Sequence, residues 1–121
     1  MTRILLIEDN ADAREALRAL LELDGYEVHA AADGTEGLDL ARTKTPDVAL
    51  VDIGLPGFDG YEVARRMRQL TATPRVMIAL TGYSEPEDRQ RAQEAGFAAH
   101  LVKPVDPDQL GRLLTSLDIR G

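Results

Sequence analysis

An α/β domain, with a parallel sheet covered by helices on both faces, is the fold class this sequence predicts. Short apolar runs alternate with longer amphipathic segments five times over. Four of the five runs are almost continuously hydrophobic, which is the pattern of strands buried on both sides. The length of 121 residues suits one domain, 1–121, and leaves no room for a second.

The first run, 4–7, ends in Glu8-Asp9. Asn10 or Asp12 can cap the helix that follows, in which Ala13, Ala16, Leu17, Leu20 and Leu21 form one stripe; Gly25 stops it. The second run, 27–31, differs from the others. Tyr26-Glu27-Val28-His29-Ala30 alternates, so an edge strand is expected there, with His29 on its exposed face. Leu38 and Ala41 mark a weaker helix before Pro46. The third run, 48–51, leads into Asp52, and Pro56, Gly57 and Gly60 shape the loop beyond it. Tyr61, Ala64, Met67 and Leu70 mark the third helix. The fourth run, 76–80, ends in Thr81-Gly82. Ser84 followed by Glu87 reads as a capping box for a helix that ends at Gly96. That helix has only Ala92 and Ala95 to turn inward, so it is expected to be the loosest element. The fifth run, 98–102, ends in Lys103-Pro104. Asp106 or Asp108 starts the last helix, with Leu110, Leu113, Leu114 and Leu117 inward. It runs almost to Gly121, and no effector domain is expected to follow.

Composition narrows the function classes. Aromatic residues make up 4% with no Trp, so the core is built from Leu, Val, Ile, Ala and Met. Fourteen Lys and Arg stand against 21 Asp and Glu, a formal charge of -7, which argues against a nucleic-acid-binding surface. Without cysteine there is no disulfide, thiolate metal site or Cys nucleophile. The apolar run at the N-terminus is too short for a signal peptide, and no stretch approaches a membrane span. A cytoplasmic protein with no membrane partner is the expectation.

In an open sheet of this class, ligands bind beyond the carboxyl ends of the strands. The residues there form a consistent set: Glu8 and Asp9, Asp52, Thr81, and Lys103. Three carboxylates converging at ~5 Å cost roughly 3 kcal/mol per pair at an effective dielectric of about 20. A hard cation between them offsets that cost. Oxygen ligands suit Mg²⁺ or Mn²⁺. Such a site suits phosphoryl transfer, with Asp52 as nucleophile, Lys103 offsetting charge and the Thr81 hydroxyl donating to a phosphoryl oxygen.

Taken one at a time, each of these residues has a plainer reading. Glu8 and Asp9 can cap a helix, Asp52 can start a turn, Thr81 can end a strand and Lys103 can be a surface charge. Their joint occurrence at four strand ends is what the plainer readings do not explain.

Glu8-Asp9, Asp52 followed by Ile53-Gly54-Leu55-Pro56-Gly57-Phe58-Asp59-Gly60, Thr81-Gly82 and Lys103-Pro104 resemble the response-regulator receiver domain of two-component signalling. The likeness runs over essentially the whole chain. It implies a flavodoxin-like, doubly wound five-stranded parallel sheet in the order 2-1-3-4-5, with two helices on one face and three on the other. It implies Mg²⁺ held by Asp9, Asp52 and the backbone carbonyl of Gly54, with Glu8 acting mainly through water. It implies a cis Lys103-Pro104 peptide and a histidine kinase or histidine phosphotransfer protein as partner. A homodimer is compatible with it, and no turnover of an external substrate is expected. The fourth helix, fifth strand and fifth helix would form the face that responds.

His100 departs from the family, which often has Tyr or Phe there as a rotamer switch coupled to the Thr. The departure leaves open whether His100 switches or is simply a strand-end residue. The run 95–105 around it resembles receiver domains attached to hybrid histidine kinases. Phosphoryl lifetime in the family depends partly on the positions held here by Gly54 and Tyr83.

Three rival readings are weaker. An aspartyl phosphatase would place an acid two residues after its nucleophile, where this chain has Gly54. A flavodoxin-like cofactor binder needs a phosphate-cradling loop after the first strand, and Glu8-Asp9-Asn10-Ala11-Asp12 would repel phosphate. A degenerate receiver serving as a phosphorylation-independent docking module would not need the complete residue set.

Overall fold

Five strands and five helices alternate along the chain in a computed structural model that describes residues 2–82 and 86–117, the side chains of 86–88 excepted. The elements are β1 (Arg3–Ile7), α1 (Ala11–Leu23), β2 (Glu27–Ala31), α2 (Gly34–Lys44) and β3 (Val48–Asp52). They continue with α3 (Gly60–Met67), β4 (Val76–Thr81), α4 (Pro86–Ala95), β5 (Ala99–Val102) and α5 (Pro107–Ser116). All strand pairs are parallel and the order is β2-β1-β3-β4-β5, as the resemblance implied. The chain reverses direction across the sheet between β1 and β3, so the crevice opens at their carboxyl ends.

Strand alternation splits the core in two. Ile4, Leu6, Val48, Leu50, Ile78 and Leu80 face α1 and α5, where Leu17, Leu21, Leu110 and Leu114 close over them. Leu5, Ile7, Ala49, Val51, Met77 and Ala79 face α2, α3 and α4. Residues four to seven and 48 to 51 are fully buried, which is why those runs are continuously apolar.

Local chemistry sets the helix boundaries. Asn10 caps α1, its side-chain oxygen accepting from the Ala13 N–H at 2.9 Å. Asp106 caps α5 in the same way, accepting from Asp108 N–H. Asp33 and Asp59 cap α2 and α3, a use the sequence reading did not assign to them. Gly96 ends α4 at φ +108°, a conformation that suits glycine.

Several expectations need correction. In α1 only Leu17 and Leu21 are buried; Ala16 is exposed, and Ala13 and Leu20 are half-buried. Ala16 and Leu20 border a groove toward Pro104 and Val105 instead of the sheet. Helix α3 ends at Met67, with Leu70 packed just beyond it. Leu113 and Leu117 of the last helix do turn inward as expected, half-buried and packed against the core. The fifth run looked buried on both faces, yet β5 is an edge strand and Val102 is 40% exposed. His29 is half-buried, not merely exposed, with Nε2 2.8 Å from Glu27 Oε2. The Ser84–Glu87 capping box and Tyr83 lie outside the described residues and side chains. Ala92 and Ala95 are buried in α4, as expected. No helix among the described residues is long and apolar enough to cross a membrane.

Candidate functional site at the strand ends

Glu8 follows directly on β1. Its N–H donates to Ala31 O at 3.0 Å and its carbonyl accepts from Arg14 Nη1 at 2.9 Å, so its backbone is held from both sides. Its side chain is turned inward and is only 1% exposed. Asp9, next along the chain, is exposed.

Asp52 is the last residue of β3 and is buried. Its Oδ1 accepts from the Gly54 N–H at 2.9 Å. Gly60, at the start of α3, packs on the same backbone: a Cβ there would stand 2.5 Å from the Asp52 carbonyl oxygen. The loop between them is thereby folded back on the strand that it leaves, and Gly60 N–H donates to Ile53 O at 3.1 Å.

Lys103 comes from the other side of the crevice. Its N–H donates to Thr81 O at 2.8 Å, and the Lys103-Pro104 peptide is cis. Its ammonium lies 2.8 Å from Glu8 Oε1 and 2.9 Å from Asp52 Oδ2, bridging the two. Thr81, the last residue of β4, is buried beside Val102 in register. His100 is half-buried in β5, opposite Ala79. It shares with Thr81, Ile53 and Tyr61 a void of about 10 Å³, the room of about one water.

The structure thus brings Glu8, Asp9, Asp52 and Lys103 together. One carboxylate oxygen from each of the three acids lies within 4.8 Å of the others. Burial raises Glu8, and its hydrogen bond to Asp52 raises it further, to about 7 against the opposing pull of Lys103. Burial would also raise Asp52, but the bonds from Glu8, Lys103 and the Gly54 N–H outweigh it and hold Asp52 below the ordinary range. Burial would lower Lys103, and its two carboxylate partners more than compensate, so it stays charged. Of the two acids, Glu8 is the one pushed toward its protonated form and Asp52 the one held toward its anion.

The donor set fits a hard divalent cation. Three carboxylates crowd together with one ammonium between two of them, which leaves an excess of negative charge on oxygen donors. Of these donors Asp9 is the open one and Glu8 the enclosed one.

Residues 4–115 match the sequence family described as the response regulator receiver domain. The chain belongs to the response-regulator receiver family. This receiver domain is 34% identical over 108 residues to sporulation initiation phosphotransferase F of Bacillus subtilis, covering 89% of this chain and 86% of that protein. It is 40% identical over 121 residues to transcriptional regulatory protein AfsQ1 of Streptomyces coelicolor; that match covers 100% of this chain and 53% of the regulator. The chain thus spans about half the length of that relative. Among solved structures it resembles the receiver domain of sensor histidine kinase PA1611 from Pseudomonas aeruginosa, at TM-score 0.86 and 34% identity, covering 95% of each chain. That structure has a magnesium ion coordinated in its active-site cleft. Receiver domains are signalling modules of two-component phosphorelays, and switching by phosphorylation is what the family implies for this chain.

Sequence reasoning found the acids and the lysine but assigned Glu8 a water-mediated part. Beside that part, the structure gives Glu8 direct contacts with Lys103 and Asp52. A clue was present in the sequence: Glu8 continues an apolar strand whose inward and outward positions alternate, and both of its faces are covered. The part that Asp59, Tyr61 and Arg91 play around the Asp52 loop was not foreseen, because their contacts cross between α3 and α4.

Proposed function

We propose that this receiver domain accepts a phosphoryl group on Asp52 from a phosphohistidine of a histidine kinase or histidine phosphotransfer protein. The observation that supports the reading best is the convergence of a buried Asp52, a bridging Lys103 and two further acids at the strand ends. Asp9, Asp52 and the Gly54 carbonyl would hold Mg²⁺, or Mn²⁺, with Glu8 behind them. Bound there, the cation neutralises charge on the entering phosphoryl oxygens.

The residues of the chain do the rest. A carboxylate oxygen of Asp52 attacks phosphorus as the P–N bond of the donor breaks, and the electron pair returns to the imidazole nitrogen. The Gly54 N–H fixes the orientation of the attacking carboxylate. Lys103 reaches both Glu8 and Asp52, so it can move onto a phosphoryl oxygen without leaving the site. Thr81 donates its hydroxyl to another phosphoryl oxygen and is drawn inward as it does so. His100 borders the void beside Thr81, which supports a switching part for it. The α4–β5–α5 face then changes, a shift in an existing equilibrium that does not require a new structure.

Intact-mass analysis after incubation with acetyl phosphate and Mg²⁺ tests the reading. One base-labile phosphoryl adduct is expected on the wild type, lost with chelator and absent from Asp52→Asn. An unmodified wild type, with a partner kinase also failing, would leave a phosphorylation-independent docking module.

A further inference from the structure

Helix α4 has little apolar weight holding it down. Among its described side chains the buried ones are Ala92 and Ala95, whose methyl groups cover little area. Arg68 Nη1 also donates to the Glu94 carbonyl at 3.5 Å, and a further attachment is ionic and aromatic. The Arg91 guanidinium carbon lies 4.1 Å over the centroid of the Tyr61 ring, and Arg91 Nη2 is 3.7 Å from Asp59 Oδ2. A planar guanidinium can stack on a ring while its edge donates to a carboxylate, which an ammonium does less well.

Both partners belong to the segment that folds back on Asp52. Asp59 caps α3 through its other oxygen, accepting from the Glu62 N–H at 3.1 Å. Gly60 donates to Ile53 O and lies against the Asp52 carbonyl. Tyr61 is buried and lines the void shared by Thr81 and His100. Residues 59–61 are thus pressed on the phosphoacceptor strand from one side and gripped by α4 from the other.

We propose that Arg91 is a latch that fastens α4 to residues 59–61, making the position of α4 and the conformation of the Asp52 loop one equilibrium. Its functional meaning rests on Asp52 being the phosphoacceptor; the mechanical coupling does not. The latch holds the resting arrangement. Releasing it favours the arrangement in which α4 is free to move, so phosphoryl uptake becomes faster.

Native-state amide exchange on the whole chain, read beside uptake from acetyl phosphate with Mg²⁺, tests this. Arg91→Met keeps the length of the stem and removes the charge. It should speed exchange in α4 and at the Gly60 amide together, by about three- to fivefold, while amides of β1 and β3 are unchanged. Uptake should quicken by a similar factor. Arg91→Lys should fall between, and Asp59→Asn, which keeps the α3 cap, should give a smaller acceleration. Unchanged exchange in α4, exchange that rises in α4 without Gly60, or uptake at the wild-type rate would each overturn the latch. If the wild type takes up no phosphoryl group from acetyl phosphate or from a partner kinase, the phosphoacceptor reading falls, and the joint behaviour of α4 and Gly60 still decides the coupling.

Discussion

At the scale of single residues, the site is a problem of charge that Lys103 solves only in part. Glu8 and Asp52 share one ammonium while Asp9 stands beside them. Replacing Asp52 by Asn removes one of three like charges, so the domain should become more stable without divalent metal at pH 8, by about 1 kcal/mol in a denaturant titration. Lys103→Met does the opposite: it strands buried carboxylates and should cost about 2 kcal/mol under the same conditions. The pH dependence follows from Glu8. Its pKa rises from 4.5 unfolded to about 7 folded, so between those values the folded state binds the extra proton. Stability in chelator should therefore fall as pH rises from about 4.5 to about 7, by an amount on the order of 2 kcal/mol. Asp52, held low by partners that include the Glu8 hydrogen bond, has the reverse sign while Glu8 keeps its proton. Its contribution is present above its ordinary value of 3.8, is lost as pH falls below it, and gives way to like-charge repulsion once Glu8 ionises. Denaturation midpoints measured across about pH 2 to 8 in chelator check both limbs, and a midpoint that climbs steadily to pH 8 would contradict the Glu8 assignment.

At the scale of elements, strands carry the precision and helices carry the tolerance. The site residues Asp52 and Thr81 end β3 and β4, whose register is fixed by fully buried neighbours such as Leu50, Ile78 and Leu80. Leu50→Ala should cost 2–5 kcal/mol, as large-to-small changes in closed cores do, and would be read as a lowered urea midpoint. Gly60→Ala acts differently. The new methyl would collide with the Asp52 carbonyl, so the β3–α3 junction must shift, at a cost of about 1–3 kcal/mol. Phosphoryl uptake should drop with it, although Gly60 has no chemistry of its own. Wild-type uptake in a stably folded Gly60→Ala protein would show that the junction does not position Asp52.

At the scale of the whole molecule, the alternation of apolar runs and amphipathic segments was enough to read the fold class. Strands buried on both faces leave continuous runs, as at 48–51, and the polar residues that interrupt them at strand ends are the site. The sequence misled where burial depends on a neighbour. The apolar run of β5 lies at an edge because no strand among the described residues pairs beyond it, and Ala16 sits on a stripe that the sheet does not reach. The caps Asp33 and Asp59 were illegible for a related reason: many acids precede helices, and only the folded turn selects which one bonds. Glu8 and Asp52 were legible as residues, but which of them holds the proton depends on burial and on the reach of Lys103. The central claim is that Asp52 takes the phosphoryl group. Borohydride reduction of the phosphorylated domain followed by peptide mass mapping tests it most directly, because an acyl phosphate is reduced to an alcohol at the residue that carried it. The account predicts homoserine at position 52 and nowhere else; reduction at Glu8 or Asp9, or a phosphoryl group found intact on Thr81, would contradict it.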